Sequence, residues 1–364
     1  MSGRAHTLQN VVAELAAEGL LPESRAADAA ALIERLAAVQ PWYIRAMVGF
    51  GAWLASLLLI GFVAGFGLAL GGSTVIGLAL VGAATWIRRQ HRFEGNDFVV
   101  QCSLALSLAG QALFGWGLAD LLPGDEIKTG CVILLAMSTL LFFVFPDRIH
   151  RVLMVLLAAS ALVTLLYAFG MTGAVPVVGP LFALALVWSC SRRAALTAAG
   201  HGERVRPLVN GLMLAAFGCL LLSTIYVLPE LGNDFTFYPR PWLSTVLLGA
   251  LFVVVGHLSW PVLLEGGQRA AAPVVYLAML AVIGAAWSAP GLLLALIVVL
   301  LGAGSGHRTF VGAGVAFLVV FVAAYFYGIE ITMLQKSITL VTSGIAILLA
   351  RWLLLNVLGA PRHA

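Results

Sequence analysis

From about residue 46 to residue 358 the sequence is a series of long apolar runs separated by short polar breaks. In lipid every backbone polar group must be satisfied within its own segment, so a chain of this kind folds as helices or as a closed barrel. A helix crosses the hydrocarbon core with about 20 residues, in a range of about 17–25. The runs predict spans over 46–70, 72–87, 98–118, 129–145, 152–170, 174–190, 208–228, 242–262, 273–287, 291–304, 310–327 and 338–358. The expected fold is an all-α polytopic bundle of twelve transmembrane helices. The runs 72–87, 273–287 and 291–304 are the shortest, and 273–304 also reads as one broken span or a re-entrant hairpin.

Composition excludes a soluble domain. Of 364 residues, 62% are hydrophobic and 10% charged, against about 25% charged in a soluble protein. The net charge of +4 is small and spread along the chain, which excludes the concentrated basic surface that nucleic acid requires. Cys102, Cys131, Cys190 and Cys219 lie in or at the ends of apolar runs without a CxxC pair. They read as small buried hydrophobes rather than metal ligands or a disulfide framework. No cofactor is expected.

Residues 1–45 form a separate region. Leu8, Val12, Leu15 and Ala16, then Ala29, Leu32, Ile33 and Leu36, recur at helical spacing on either side of Pro22, which predicts a helical hairpin. Its five Glu and Asp outweigh its four Arg, the wrong sign for a DNA-binding helix-turn-helix. No apolar stretch lies close to Met1, so the run from Ala46 is expected to act as an uncleaved anchor. The domain plan is therefore a cytoplasmic hairpin at 1–45, a transmembrane domain at 46–358 and a cytoplasmic tail at 359–364. Lys and Arg favour the cytoplasmic side. With both termini inside, seventeen of the twenty Lys and Arg residues fall in inner segments, leaving Lys128, Arg240 and Lys336 outside.

One pattern recurs three times. A tight turn (Leu70-Gly71-Gly72, then Gly170–Gly173, then Ser288–Gly291) precedes a basic inner loop containing Arg92, Arg206 or Arg308. An acidic outer loop follows, around Asp120, Glu230 or Glu330. Three four-helix repeats give this pattern, and so does any alternating topology.

Ionisable groups at mid-membrane are functional suspects, and no Asp, Glu, Lys or Arg falls at the centre of a predicted span. The polar candidates are Gln101, Gln111 and Asn210, which suit contacts between helices or a substrate path. The two glutamines share one span and lie within roughly 80° of each other around it. His257 reads as a helix-contact histidine. Asp120, Asp125 and Glu126 form the densest acidic group, suited to acid–base chemistry or to solvation. Lys336, with Glu330 in the same outer loop, opposes the charge trend and is expected to pair with a carboxylate or to anchor at the headgroups.

Two stretches carry a family resemblance. The first is Pro41-Trp42-Tyr43-Ile44-Arg45 with Gly49–Leu54. The second is Tyr325–Tyr327, Ile331–Ser337, Gly344 and Arg351-Trp352. Together they resemble the bacterial membrane family known as domain of unknown function 4401, itself similar to domain of unknown function 2157, over about residues 30–358. The resemblance implies a bacterial inner-membrane protein of unassigned activity. It also implies a partner, a second membrane protein encoded nearby with a Gly-Asp-Tyr signature. It supplies no catalytic residues. The expected function is a non-enzymatic component of an envelope complex or a permease-like carrier. The alternative is an enzyme acting on lipid-linked or periplasmic substrates through the outer carboxylates.

Overall fold

The computed structural model describes residues 70–90, 97–225, 240–263, 272–287 and 289–328, with scattered positions between 11 and 62 and the single positions 334 and 341. Every described element is helical: α1 Leu70–Arg89, α2 Asp97–Leu121, α3 Glu126–Val144, α4 Arg148–Ala168, α5 Val175–Ser191, α6 Gly202–Ile225, α7 Pro241–Leu263, α8 Ala272–Ala285, α9 Pro290–Ser305 and α10 Arg308–Gly328. These ten helices fall on ten of the twelve expected spans. Most of the first span, the whole of the last apart from Val341, and most of the hairpin at 1–45 lie outside the described residues. Six helical segments are long and apolar enough to cross a membrane: Phe98–Leu121, Glu126–Val144, Arg148–Ala168, Thr172–Ser191, Arg193–Leu221 and Trp242–Ser259. Val275–Ala285, Pro290–Ser305 and Arg308–Ala324 are apolar but shorter.

Two boundaries differ from expectation. Gly71 and Gly72, read as a turn, lie in the first turn of α1. Two glycines do not break a helix whose next residues, Val75, Ile76 and Leu78, continue an apolar face. Arg204 and Arg206, read as loop, lie in the first turns of α6. The chain enters that helix from the C-terminus of α5 through a helical turn, Arg193–Leu196, and a π turn, Thr197–His201. Gly200 inside the π turn has φ 81°, a left-handed conformation that side chains with a Cβ avoid.

The described residues divide into two compact units, one of residues 75–113 with the positions before 70, the other of residues 70–74 and 114 onward. In the first, α1 and α2 approach closely enough that a Cβ on Gly110 would lie 2.7 Å from the carbonyl oxygen of Gly77. Val81, Ala84, Leu104, Ala109 and Leu113 are buried beside it. In the second, α9 is central, with Leu293, Leu294, Ala295, Ile297 and Val298 fully buried. Phe217 of α6 stacks on Phe317 of α10 at 3.7 Å. Outward positions such as Leu181, Leu184, Trp188, Val254 and Val319 are large, apolar and exposed. A soluble protein rarely shows apolar surface on that scale.

Prolines set the finer contacts of the second unit. A proline has no N–H for the carbonyl four residues earlier, and in lipid a freed carbonyl needs another donor. Pro180 of α5 deprives Pro176, and Ser244 Oγ of α7 donates to the Pro176 oxygen. At the end of α8, Thr245 Oγ1 donates to Trp287 O at 2.9 Å and reaches Ala286 O, which also accepts from Ala289 N at 3.0 Å. Arg151 of α4 answers two prolines at once. Its Nε donates to Phe142 O at 3.1 Å and its Nη1 to Glu203 O at 3.3 Å. The residues four places on are Pro146 and Pro207.

This arrangement makes Ser244→Ala costly in a specific way. The expected loss is about 1–2 kcal/mol in the parent. It falls below about 0.5 kcal/mol when Pro180→Ala restores an N–H to Pro176 O, since the two changes act on one bond. Detergent-phase melting of the four proteins checks this. An equal cost in both backgrounds would mean that Ser244 acts by packing alone.

Candidate functional site

At the helix ends that carry most of the arginines, the second unit has an open recess of about 850 Å³. Its wall is built by the end of α5, the two turns after it, the start of α6 and Arg148 at the start of α4. Three arginines line it, Arg148, Arg193 and Arg206, with one acidic residue, Glu203. Arg148 and Arg206 are exposed and Arg193 half-buried. A second cavity of about 230 Å³ adjoins it and shares Cys190, Ser191 and Arg193. That cleft is mostly apolar, with Val255, Leu258, Leu300, Leu301 and Phe310 on its wall. Arg193 Nη1, in the helical turn after α5, lies 2.7 Å from Nε2 of His307, the residue before α10. A guanidinium only donates, so His307 Nε2 accepts and its ring proton sits on Nδ1.

Below this floor the scaffold is tight. Asp147 caps α4 by accepting from His150 N at 2.9 Å. The fully buried His150 ring stacks on Phe145 at 4.0 Å. Arg204 lies over the Phe143 ring at 5.9 Å. The cavity is therefore a recess lined by three arginines and one glutamate, a set that can hold an anion by charge and by planar hydrogen bonding.

The residues singled out in the sequence lie elsewhere. Gln111 is buried on α2. Expected to bond between helices, its Nε2 turns back to Ser107 O at 3.2 Å in its own helix, and its Oε1 has no hydrogen-bond partner among the described residues. Gln101 is half-buried on the same helix, and Asn210 is exposed on α6. The exposed His257 of α7 meets the Tyr276 hydroxyl of α8 through Nδ1 at 2.7 Å. Glu330 and Lys336 lie outside the described residues.

Asp120, Asp125 and Glu126 are exposed around the turn between α2 and α3. Asp125 caps α3, its Oδ1 accepting from Ile127 N at 3.0 Å and Lys128 N at 3.2 Å. Its Oδ2 lies 3.2 Å from Lys128 Nζ, which sits 5.3 Å from the centre of the Phe169 ring. The Lys128 backbone N–H, then its ammonium, hold the Asp125 carboxyl below the ordinary 3.8. A lowered carboxylate stabilises the fold above its ordinary value and loses that contribution as pH falls through the lowered one. The melting gap between the parent and Asp125→Ala is thus expected to be full at pH 7 and to narrow below about pH 3.8. A gap that stays constant down to pH 2 would show that the charge has no part in the cap.

The arginines of the recess were legible only as a topology signal. Their convergence was hidden because Arg148, Arg193, Arg206 and His307 come from three separate polar breaks. Among the described residues no three His, Cys, Asp or Glu gather as a metal set would.

No curated protein and no solved structure matches the chain. The family described as Domain of unknown function (DUF4401) matches residues 41–357. A match over that span, which takes in both resembling stretches and every described helix from α1 to α10, places the chain in the DUF4401 family.

Proposed function

We propose that the chain is a multi-pass protein of the bacterial inner membrane, with twelve spans and both termini in the cytoplasm, that acts as a non-enzymatic component of an envelope complex. The observation that supports this is Asn210. It lies two turns into α6 on an exposed face, and its side chain has no hydrogen-bond partner among the described residues. An amide facing hydrocarbon is unfavourable, and such groups bond across helices. A second membrane protein supplies that bond. Asp125 supports leaving the enzyme reading aside, because its two oxygens are committed to a helix cap and to Lys128. The carrier reading needs Gln101, Gln111 and Asn210 along one path. Gln111 faces its own helix and Asn210 faces outward.

A photo-crosslinking residue at position 210 in native membranes tests the proposal. The expected product is an adduct with one other membrane protein, absent when the crosslinker sits at the buried position 216. Adducts with lipid alone at position 210 would overturn it. The three four-helix units belong to the same reading. They predict that α2 with α3, α6 with α7, and α10 with the last span cross at matching angles in an experimental structure, and unrelated crossings would remove them.

A further inference from the structure

We propose that the two adjoining cavities take one phosphate-bearing amphiphile, its phosphate against Arg148, Arg193 and Arg206 and an acyl chain in the apolar cleft. The inference rests on the chain lying in a membrane and is independent of whether it belongs to a complex.

Charge is the first argument. Three arginines and one glutamate line the larger cavity. That carboxylate, Glu203, is exposed to solvent. Among the described residues neither Arg148 nor Arg206 pairs with a carboxylate, so a net positive recess stands open. Guanidinium forks match the paired oxygens of a phosphate. Free phosphate and a lipid headgroup share that chemistry.

The adjoining cleft favours the lipid. It opens from the same Cys190, Ser191 and Arg193 wall, so a headgroup held by Arg193 has an apolar channel directly beside it. Leu258 on the cleft wall is 63% exposed, which leaves the channel open sideways at the bundle surface, where an acyl chain enters. Both cavities lie at helix ends, the level at which basic recesses meet anionic headgroups. The side of the bundle is the one that the arginine distribution assigns to the cytoplasm.

The test uses the full chain, delipidated in a neutral detergent. The probes are dioctanoyl phosphatidylglycerol, dioctanoyl phosphatidylcholine and sodium phosphate, and binding is read by native mass spectrometry. The parent should prefer phosphatidylglycerol over phosphatidylcholine. Each of Arg148→Gln, Arg193→Gln and Arg206→Gln should weaken phosphatidylglycerol binding about fivefold, and the matching Lys variants should recover part of it. Leu258→Trp, which fills the cleft from an exposed position, should weaken phosphatidylglycerol and leave inorganic phosphate unchanged. Arg148 and Arg206 are exposed, so their variants should melt with the parent, which separates binding from folding. Equal binding of the two lipids, or a triple Gln variant that binds phosphatidylglycerol like the parent, overturns the site. Phosphate competing at equal concentration, with Leu258→Trp silent, overturns the amphiphile in favour of a free anion. Loss of crosslinking at position 210 would leave these results untouched.

Discussion

Arg151→Met is expected to lower stability by about 2–4 kcal/mol. Arg151 is 6% exposed and serves Phe142 O and Glu203 O, on two different helices. Helix α3 ends at Val144, and Phe145 N still reaches Leu141 O. The next amide in the series would reach Phe142 O, but residue 146 is proline. In α6 the amide that would reach Glu203 O belongs to Pro207. The guanidinium supplies both missing donors, so its removal strands the buried Phe142 acceptor and the part-buried Glu203 acceptor. A Met side chain replaces the length and the apolar stem and isolates that loss.

Arg151→Lys should recover only part of the stability, because one ammonium on a flexible stem does not reproduce two donors fixed in a planar fork. The decisive comparison is a background carrying Pro146→Ala and Pro207→Ala, where backbone amides are available to both carbonyls. There Arg151→Met should cost less than half its value in the parent. If the cost is the same in both backgrounds when read by melting in detergent, the argument from prolines is wrong and Arg151 holds α3, α4 and α6 together by packing alone.

How much of this was legible beforehand follows from where the information lies. The ten described helices stood out because an apolar run of span length has few other uses. Their ends were less certain. Arg204 and Arg206 looked like loop because charge in a membrane chain marks a break, yet a helix start at the headgroup level tolerates charge on its first turns. The prolines were visible too, and the positions they deprive follow by counting back four. What no count along the chain supplies is the donor. Ser244 lies 68 residues from Pro176, and Arg151 lies 52 from Glu203. Only packing brings them together.

The candidate site shows the same division. Each arginine of the recess was recognised for its sign, and its neighbours were not. Gln111 drew notice as a polar group in an apolar helix, but its position alone did not show that Ser107, one turn earlier, would take its amide. The cavity is thus a property of which polar breaks meet, and hydropathy is silent on that.

Gly302→Leu is expected to leave no folded, monodisperse protein, and Gly302→Ala to cost about 1–2 kcal/mol net. A Cβ on Gly302 of α9 would lie 2.7 Å from the Val311 backbone nitrogen of α10 and 2.9 Å from Phe310 Cβ. Neither atom can swing away, since both are fixed to the helix, so α10 itself must shift. At the other end of the same contact, a Cβ on Gly314 would lie 3.0 Å from Ala295 O. The two helices therefore touch along glycines on opposite partners, a close approach that only small residues permit. Overpacking costs about 1–3 kcal/mol, and the better helix propensity of Ala returns up to about 1 kcal/mol, so the sign depends on whether the neighbour yields. Gly256 supplies the control. A Cβ there meets only the side-chain end of Met279, which is flexible, so Gly256→Ala should be neutral or stabilising. The two Ala variants, melted side by side in detergent, separate the effects. If Gly302→Ala melts at or above the parent, the α9–α10 contact is looser than its backbone distances require, and the small residues along it do not set the helix spacing.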